Sequence, residues 1–496
     1  MIKQKSLTLK VEIVLVLVLA LVFILRIPSL FEPFWYGDEG IFAAVGHGLN
    51  KGQMLYLETW DNKPPMIYIY YSLIFRIFGE SMFWLRLITA IWVTLTSLVV
   101  FDIARRLWSD RRGILAVLIF GILSSLPVIE GNLALTEILM LLPTSIAFWL
   151  ILLKNKGLFN NFDDVFVYLT AGAFLCFAFL FKQMAVFDAI TAGIIILTMQ
   201  DKPIKRAISL TVGFLSVFAV FSLYFLLRGT LSEFIFAAYT YYFIYLSEGP
   251  GLPKYFIVFK ILPAVLASGF LFYKFFRHKK ITLTSAILMW VCFALLGSIF
   301  SGRPYGHYLI QMVLPISLLA VSFVRWQKIK VFDLGISIII FVSGLYVLNK
   351  AFGLNNFQGD VLRSNYYRNF VAFASGEKNY REYSDSFDRN AYKLKSVSEY
   401  LTAKGSADQY IYIWGDYSWA YVLADAKESS RYITSFHVRG LPNGADEVIK
   451  SLTKNQPKFI VKTPNAIGGF DELDEFIETH NYRLINVIEG SEIFAI

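Results

Sequence analysis

The 496-residue chain is 56% hydrophobic and 17% aromatic, while Asp, Glu, Lys and Arg make up only 17% of it. Soluble domains give about a quarter of their residues to those four types, so this is not an ordinary soluble protein. The net charge of +9 does not point to nucleic acid either. Most basic residues sit in short loops between apolar runs, and no aromatic-basic binding motif accompanies them.

The first apolar run, Val11–Leu25, lacks a small-residue cleavage site and passes straight into Arg26-Ile27-Pro28. It reads as a retained span rather than a signal peptide. A span needs roughly 20 mostly apolar residues, and about eleven candidates follow: 11–30, 83–104, 113–129, 133–153, 166–181, 184–200, 207–228, 255–273, 281–300, 307–324 and 331–351. Alternate loops carry the basic residues, as in Arg105, Arg106, Arg111 and Arg112, Lys154 and Lys156, or Lys274, Arg277, Lys279 and Lys280. The opposite loops hold few. By the positive-inside rule the N-terminus is cytoplasmic, and loop 31–82 and the C-terminus lie outside. Cys176 and Cys292 fall inside apolar runs and read as packing residues, with no disulfide or metal role.

Loop 31–82 is long and aromatic. Gly37–Gly48 and Pro65–Phe78 are apolar enough to lie along the membrane surface as helices. After about Phe352 the composition becomes that of a soluble domain, so the expected organisation is a membrane domain over 1–351 and an extracytoplasmic domain over 352–496. In the latter, helical stretches at Asn390–Ala403, Trp419–Lys427, Asp446–Thr453 and Glu472–His480 alternate with strands at Gln409–Trp414, Pro457–Lys462, Leu484–Ile488 and Glu492–Ala495. That alternation implies a small α/β domain with a partly parallel sheet. Trp414-Gly415-Asp416 is too short for a nucleotide fingerprint, and a structural or recognition role suits the domain best. The fold class is thus an α-helical polytopic membrane protein with a C-terminal α/β domain.

Ionisable residues at the outer ends of spans are the candidates for chemistry, because charge at membrane depth is costly. Asp38-Glu39 open the first surface helix, where a helix-capping role for Asp38 is equally good on sequence grounds. Lys63 precedes a rigid Pro64-Pro65, and Thr136-Glu137 begin span 133–153. Lys182 stands in a tight turn; Arg303, His307, Tyr308 and Gln311 surround the start of span 307–324. Singly, each is as well explained by solvation or snorkelling. Together they suit an amphiphilic anion: cations to neutralise a phosphate and a carboxylate to take a proton from a hydroxyl.

Asp38-Glu39, Lys63-Pro64-Pro65 with its aromatic helix, Phe78-Gly79-Glu80-Ser81, Leu85-Arg86-Leu87, Thr136-Glu137, and His307-Tyr308 with Pro315 occur in an order that resembles the C-type integral membrane glycosyltransferases. The likeness is to the branch holding protein O-mannosyltransferases and the lipid A aminoarabinose transferase. It covers roughly 10–350 and is strongest over 28–90. The resemblance implies inverting transfer of a sugar from a polyprenyl-phosphate donor to a glycolipid, glycan or protein acceptor on the outer face. It implies Asp38 as base or acceptor-orienting group, Lys63 as a donor-phosphate ligand, Glu137 as the second acidic site where relatives often carry Asp, and His307 and Tyr308 as donor-cavity lining. Glu39, Lys182 and Arg303 are added to the substrate-binding set from charge and position. No metal is obligatory, although Asp38 and Glu137 could share a divalent cation. A transporter or flippase would show paired mid-span breaks or internal repeats, and the sequence has neither. A non-catalytic assembly protein is disfavoured by the retained Asp38 and Lys63.

Overall fold

The computed structural model describes residues 8–247 apart from 155, 156 and 160, together with 269, 281–301, 303, 305–324 and 365–496. Expected spans on these residues are helical: Leu9–Ile24, Met82–Leu107, Asp110–Leu123, Leu141–Lys154, Asp164–Phe181, Val186–Met199, Pro203–Leu227, Leu283–Ile299 and Ile310–Phe323. Among the described residues six stretches are long and apolar enough to cross a membrane. The expected spans 255–273 (apart from residue 269) and 331–351, and the boundary at Phe352, lie outside the described residues. Span 113–129 proves shorter than the apolar run suggested. Its helix stops at Leu123, and Pro127–Ile129 form a separate 3-10 turn because proline cannot donate to a continuing helix.

The chain packs as two compact units. Among the described residues, the first holds those up to 27, 88–223, 269 and 281–324; the second holds 28–87, 224–247 and 365–496.

Within the first unit, the stretch Thr136–Lys154 is central, with 89% of its most apolar window buried, against 17% for Pro203–Leu227. Small residues set the closest helix approaches. A Cβ on Gly172 would strike the carbonyl of Leu210, and one on Gly213 would strike that of Leu169, so Asp164–Phe181 and Pro203–Leu227 pack backbone to backbone. Trp290 stacks on Phe148 at 3.5 Å, deep in the apolar core. Arg26 is buried and donates to the carbonyls of Ser124, Gly131 and Asn132 at 3.0, 2.6 and 3.3 Å. That guanidinium fixes the reversing loop that carries Glu130, whose backbone is left-handed at φ 59°.

Within the second unit, Gly37–Asn50 and Met66–Phe78 form a helical hairpin, close to the surface helices expected from sequence. A Cβ on Gly46 would lie 2.9 Å from the Tyr71 Cβ, so glycine permits the contact. The C-terminal sheet has five strands: β1 (Tyr410–Trp414), β2 (Lys427–Glu428), β3 (Phe459–Lys462), β4 (Arg483–Ile488) and β5 (Ser491–Ala495). Their order is β2-β1-β3-β5-β4. β1 pairs in parallel with β2 and β3, while β5 runs antiparallel to β3 and β4. The partly parallel α/β sheet expected from sequence is present. One local expectation changes: the helix from Trp419 ends at Leu423, a left-handed Asp425 (φ 50°) reverses the chain, and Lys427–Glu428 join the sheet. Helices Tyr366–Ala374, Tyr380–Asp385 and Ser435–Arg439 were not anticipated.

Candidate active site

The acidic pair of the first surface helix divides into two environments. Tyr36 occupies the cap position, so Asp38 lies inside the first turn and does not cap it. Its half-buried carboxylate is favoured there by the helix dipole. Glu39 is fully buried and accepts from Arg86 at 2.5 Å. Arg86 also reaches Glu32 at 3.4 Å, and Glu32 receives Trp35 Nε1 at 2.9 Å and the Tyr366 hydroxyl at 2.5 Å. The carboxylate of Glu39 is therefore committed to a buried charge network.

Lys63 is held mainly through its backbone. The Tyr56 hydroxyl donates to its carbonyl at 2.8 Å, and its N–H donates to the Tyr68 hydroxyl at 3.1 Å. Its Nζ donates to Asn62 Oδ1 at 2.7 Å, and Pro64-Pro65 lead into the helix from Met66. The half-buried ammonium is thus presented by a stiff loop.

In the first unit, Glu137, Lys182, His307 and Tyr308 come together. Glu137 accepts from Lys182 and from the Thr136 hydroxyl at 2.7 Å, and lies 3.5 Å from His307 Nε2. The other His307 nitrogen meets Glu130. Lys182 stands 4.1 Å above the Tyr308 ring, and Tyr305 stacks on His307 at 5.5 Å. Gln311 donates to the Met184 carbonyl at 3.0 Å and to Asp188 at 2.8 Å, and Asp188 also accepts from Trp290 at 2.6 Å. This ties the helix that follows His307 to the turn that follows Lys182. Arg303 is half-buried, with its N–H on Ser301 Oγ at 3.2 Å.

Four of the residues predicted for the site are therefore gathered in the first unit. Asp38, Glu39 and Lys63 belong to the second. Sequence reasoning missed Glu130, Glu32 and Asp61. Asp61 is buried, accepts from Tyr68 at 2.8 Å and lies 3.2 Å from His437 Nε2. For a metal, the group among the described residues with ligand atoms within 4.8 Å of one another is His47, Glu80 and Asp425. Those atoms already have protein partners: His47 Nδ1 meets Glu80, and Lys51 lies 2.6 Å from Asp425.

Comparison with known proteins agrees with this architecture. The crystal structure of ArnT from Cupriavidus metallidurans bound to undecaprenyl phosphate is similar with a TM-score of 0.58 and 14% identity, over 98% of this chain and 97% of that one. The apo ArnT structure gives the same score and identity over 97% of each chain. The archaeal oligosaccharyltransferase AglB from Archaeoglobus fulgidus, in complex with an inhibitory peptide and a dolichol-phosphate, scores 0.47 at 13% identity, over 92% of this chain and 69% of that one. A search of curated proteins returned no match. The ArnT likeness establishes the fold as that of the C-type integral membrane glycosyltransferases, the class the sequence motifs resemble. Residues 62–225 match the family model of dolichyl-phosphate-mannose-protein mannosyltransferases. Lys63, Glu137 and Lys182 fall in the matched segment; Asp38, Glu39, Arg303, His307 and Tyr308 fall outside it.

Proposed function

We propose that the protein transfers a hexose or pentose from a polyprenyl-phosphate donor to a glycolipid, glycan or protein acceptor on the extracytoplasmic face of the cell membrane. The observation that carries this reading is Lys63, a cation held by Tyr56 and Tyr68 on a proline-stiffened loop inside the family-matched segment. Lys63 binds the donor phosphate by a charge-assisted contact. An acceptor nucleophile attacks the anomeric carbon, the bond to the phosphate oxygen breaks, and the electron pair stays on the polyprenyl phosphate. Asp38 takes the nucleophile's proton. One displacement inverts the anomeric centre.

A polyprenyl phosphate leaves as a stable anion, so the step needs neither a strong general acid nor a metal. Glu137, with Lys182 and His307, supplies the second acidic site. Within the first unit Lys182, Arg303, His307 and Tyr308 supply cationic and aromatic groups, and within the second Glu39 holds Arg86. Reporter fusions at Lys280 and Gly405 should report opposite sides of the membrane; agreement between them would reverse the topology.

The chemical test uses purified full-length protein with a polyprenyl-phosphate sugar and membrane acceptors. Lys63→Ala should weaken donor binding, and Asp38→Asn should lower turnover by about 10²-fold with donor binding retained. Wild-type donor affinity in Lys63→Ala would remove the lysine from the phosphate site.

A further inference from the structure

The C-terminal domain reaches the Lys63 loop within the second unit. Trp60 N–H donates to the Arg431 carbonyl at 3.0 Å, Trp60 bridges to Tyr432, and its ring meets His437 edge-on at 5.0 Å. His437 lies on helix Ser435–Arg439, whose start is capped by Thr434. Its Nε2 is 3.2 Å from Asp61 Oδ1, while Nδ1 is buried without a hydrogen-bond partner. A buried N–H with no acceptor is unfavourable, so the ring proton belongs on Nε2, facing Asp61.

The proton directions then follow in sequence. Asp61 is an acceptor only, so it takes the single hydroxyl proton of Tyr68 at 2.8 Å. That leaves the Tyr68 oxygen to accept the Lys63 N–H at 3.1 Å. Burial pushes the Asp61 pKa up, but the Lys63 charge, the His437 hydrogen bond and the Tyr68 hydroxyl outweigh it and hold it at about 2. Asp61 therefore stays ionised, and its two oxygens have fixed donors.

We infer that His437 is a positioning residue for donor binding: its Nε2–H holds Asp61, and Asp61 through Tyr68 fixes the Lys63 backbone. This gives the C-terminal domain a part in binding the phosphate, and it rests on the reading of Lys63 as the phosphate ligand.

His437→Leu, His437→Asn and His437→Gln test it in the full-length detergent-solubilised enzyme. Glutamine can place a donor near the Nε2 position, whereas asparagine falls short and leucine has none. Binding of a sugar-free polyprenyl phosphate, and the donor KM, should worsen roughly tenfold in the Leu and Asn variants, as for the loss of one hydrogen bond to a charged group. The acceptor KM should not move, and Gln should restore the donor values. A merely structural role would shift both KM values together and would not separate Gln from Asn. Equal donor binding in the Gln and Asn variants overturns the inference, even if the Leu variant fails to accumulate. Lys63→Ala is measured alongside. If it loses donor binding while the His437 variants keep it, only this inference falls; if it binds as wild type, the phosphate assignment itself falls.

Discussion

In the first unit Glu137 is buried among Lys182, His307 and the Thr136 hydroxyl, with Glu130 on the far side of the imidazole. In the second, Asp38 stands half-buried in the first turn of its helix, one residue before a Glu39 locked to Arg86. Buried charges of opposite sign fix each other's geometry, and removing one strands the rest. A half-buried carboxylate at a helix start keeps access to solvent. The contrast separates groups that set the electrostatic field from the group suited to exchange a proton.

The largest expected effect comes from breaking a buried network. Lys182→Met leaves Glu137 without its ammonium, and Arg86→Met leaves both Glu39 and Glu32 uncompensated. Each should lose about 3–5 kcal/mol of stability, seen as a lower melting temperature and poor recovery in detergent. Adding Glu137→Leu to Lys182→Met removes both charges and should regain most of that loss without restoring transfer. A single Lys182→Met variant as stable as wild type would mean that the cluster is solvated and the contrast false.

A smaller effect belongs to the contact between the surface hairpin and β2. Burial lifts the Glu428 carboxyl to about 7 from an ordinary 4.5. Between those values the folded protein keeps a proton that the unfolded chain has released, so stability falls as pH rises through the interval, by about 3 kcal/mol in all. His47 acts in the same direction. Burial lowers it, but the Glu80 hydrogen bond and the Glu80 and Glu428 charges outweigh burial and raise it above 6.5. Its contribution is complete below 6.5 and is lost as pH rises through the folded value. Glu428→Gln should match wild type near pH 5 and melt higher near pH 8. Parallel melting curves for the two proteins at both pH values would reject the assignment.

The membrane helices were legible because a polypeptide can solvate so many successive apolar runs of span length only in a bilayer. The sheet was legible because its strands and helices alternate along the chain. The ionisable residues that interrupt apolar sequence were legible one by one, as at Glu137, Lys182 and His307, which the structure brings into contact. Their partners were not. Glu130 reaches His307 across 177 positions and His437 reaches Asp61 from a distant part of the chain, and one sequence gives no signal for such pairings. Arg86 was visible in Leu85-Arg86-Leu87, but nothing local says that it belongs to Glu39 and Glu32. The capping alternative for Asp38 failed by two positions, a shift within the ordinary uncertainty of a helix start.

The smallest expected effect on stability is the most informative about the base. Asp38 and Glu39 are adjacent in sequence, yet only Glu39 is wholly buried against a guanidinium. Asp38→Asn keeps the side-chain shape and loses only part of the helix-dipole attraction, about 0.5 kcal/mol. Glu39→Gln removes the buried charge that faces Arg86 at 2.5 Å and should destabilise several times more. On turnover the order reverses: Asp38→Asn should fall by about 10²-fold in protein that melts almost as wild type does. Glu39→Gln, assayed below its own melting transition, should keep most of its activity. A stable Asp38→Asn enzyme with normal turnover would pass the base assignment to Glu137. The first unit's buried cluster would then have to exchange a proton despite its saturated contacts, and the distinction drawn between the two regions would fail.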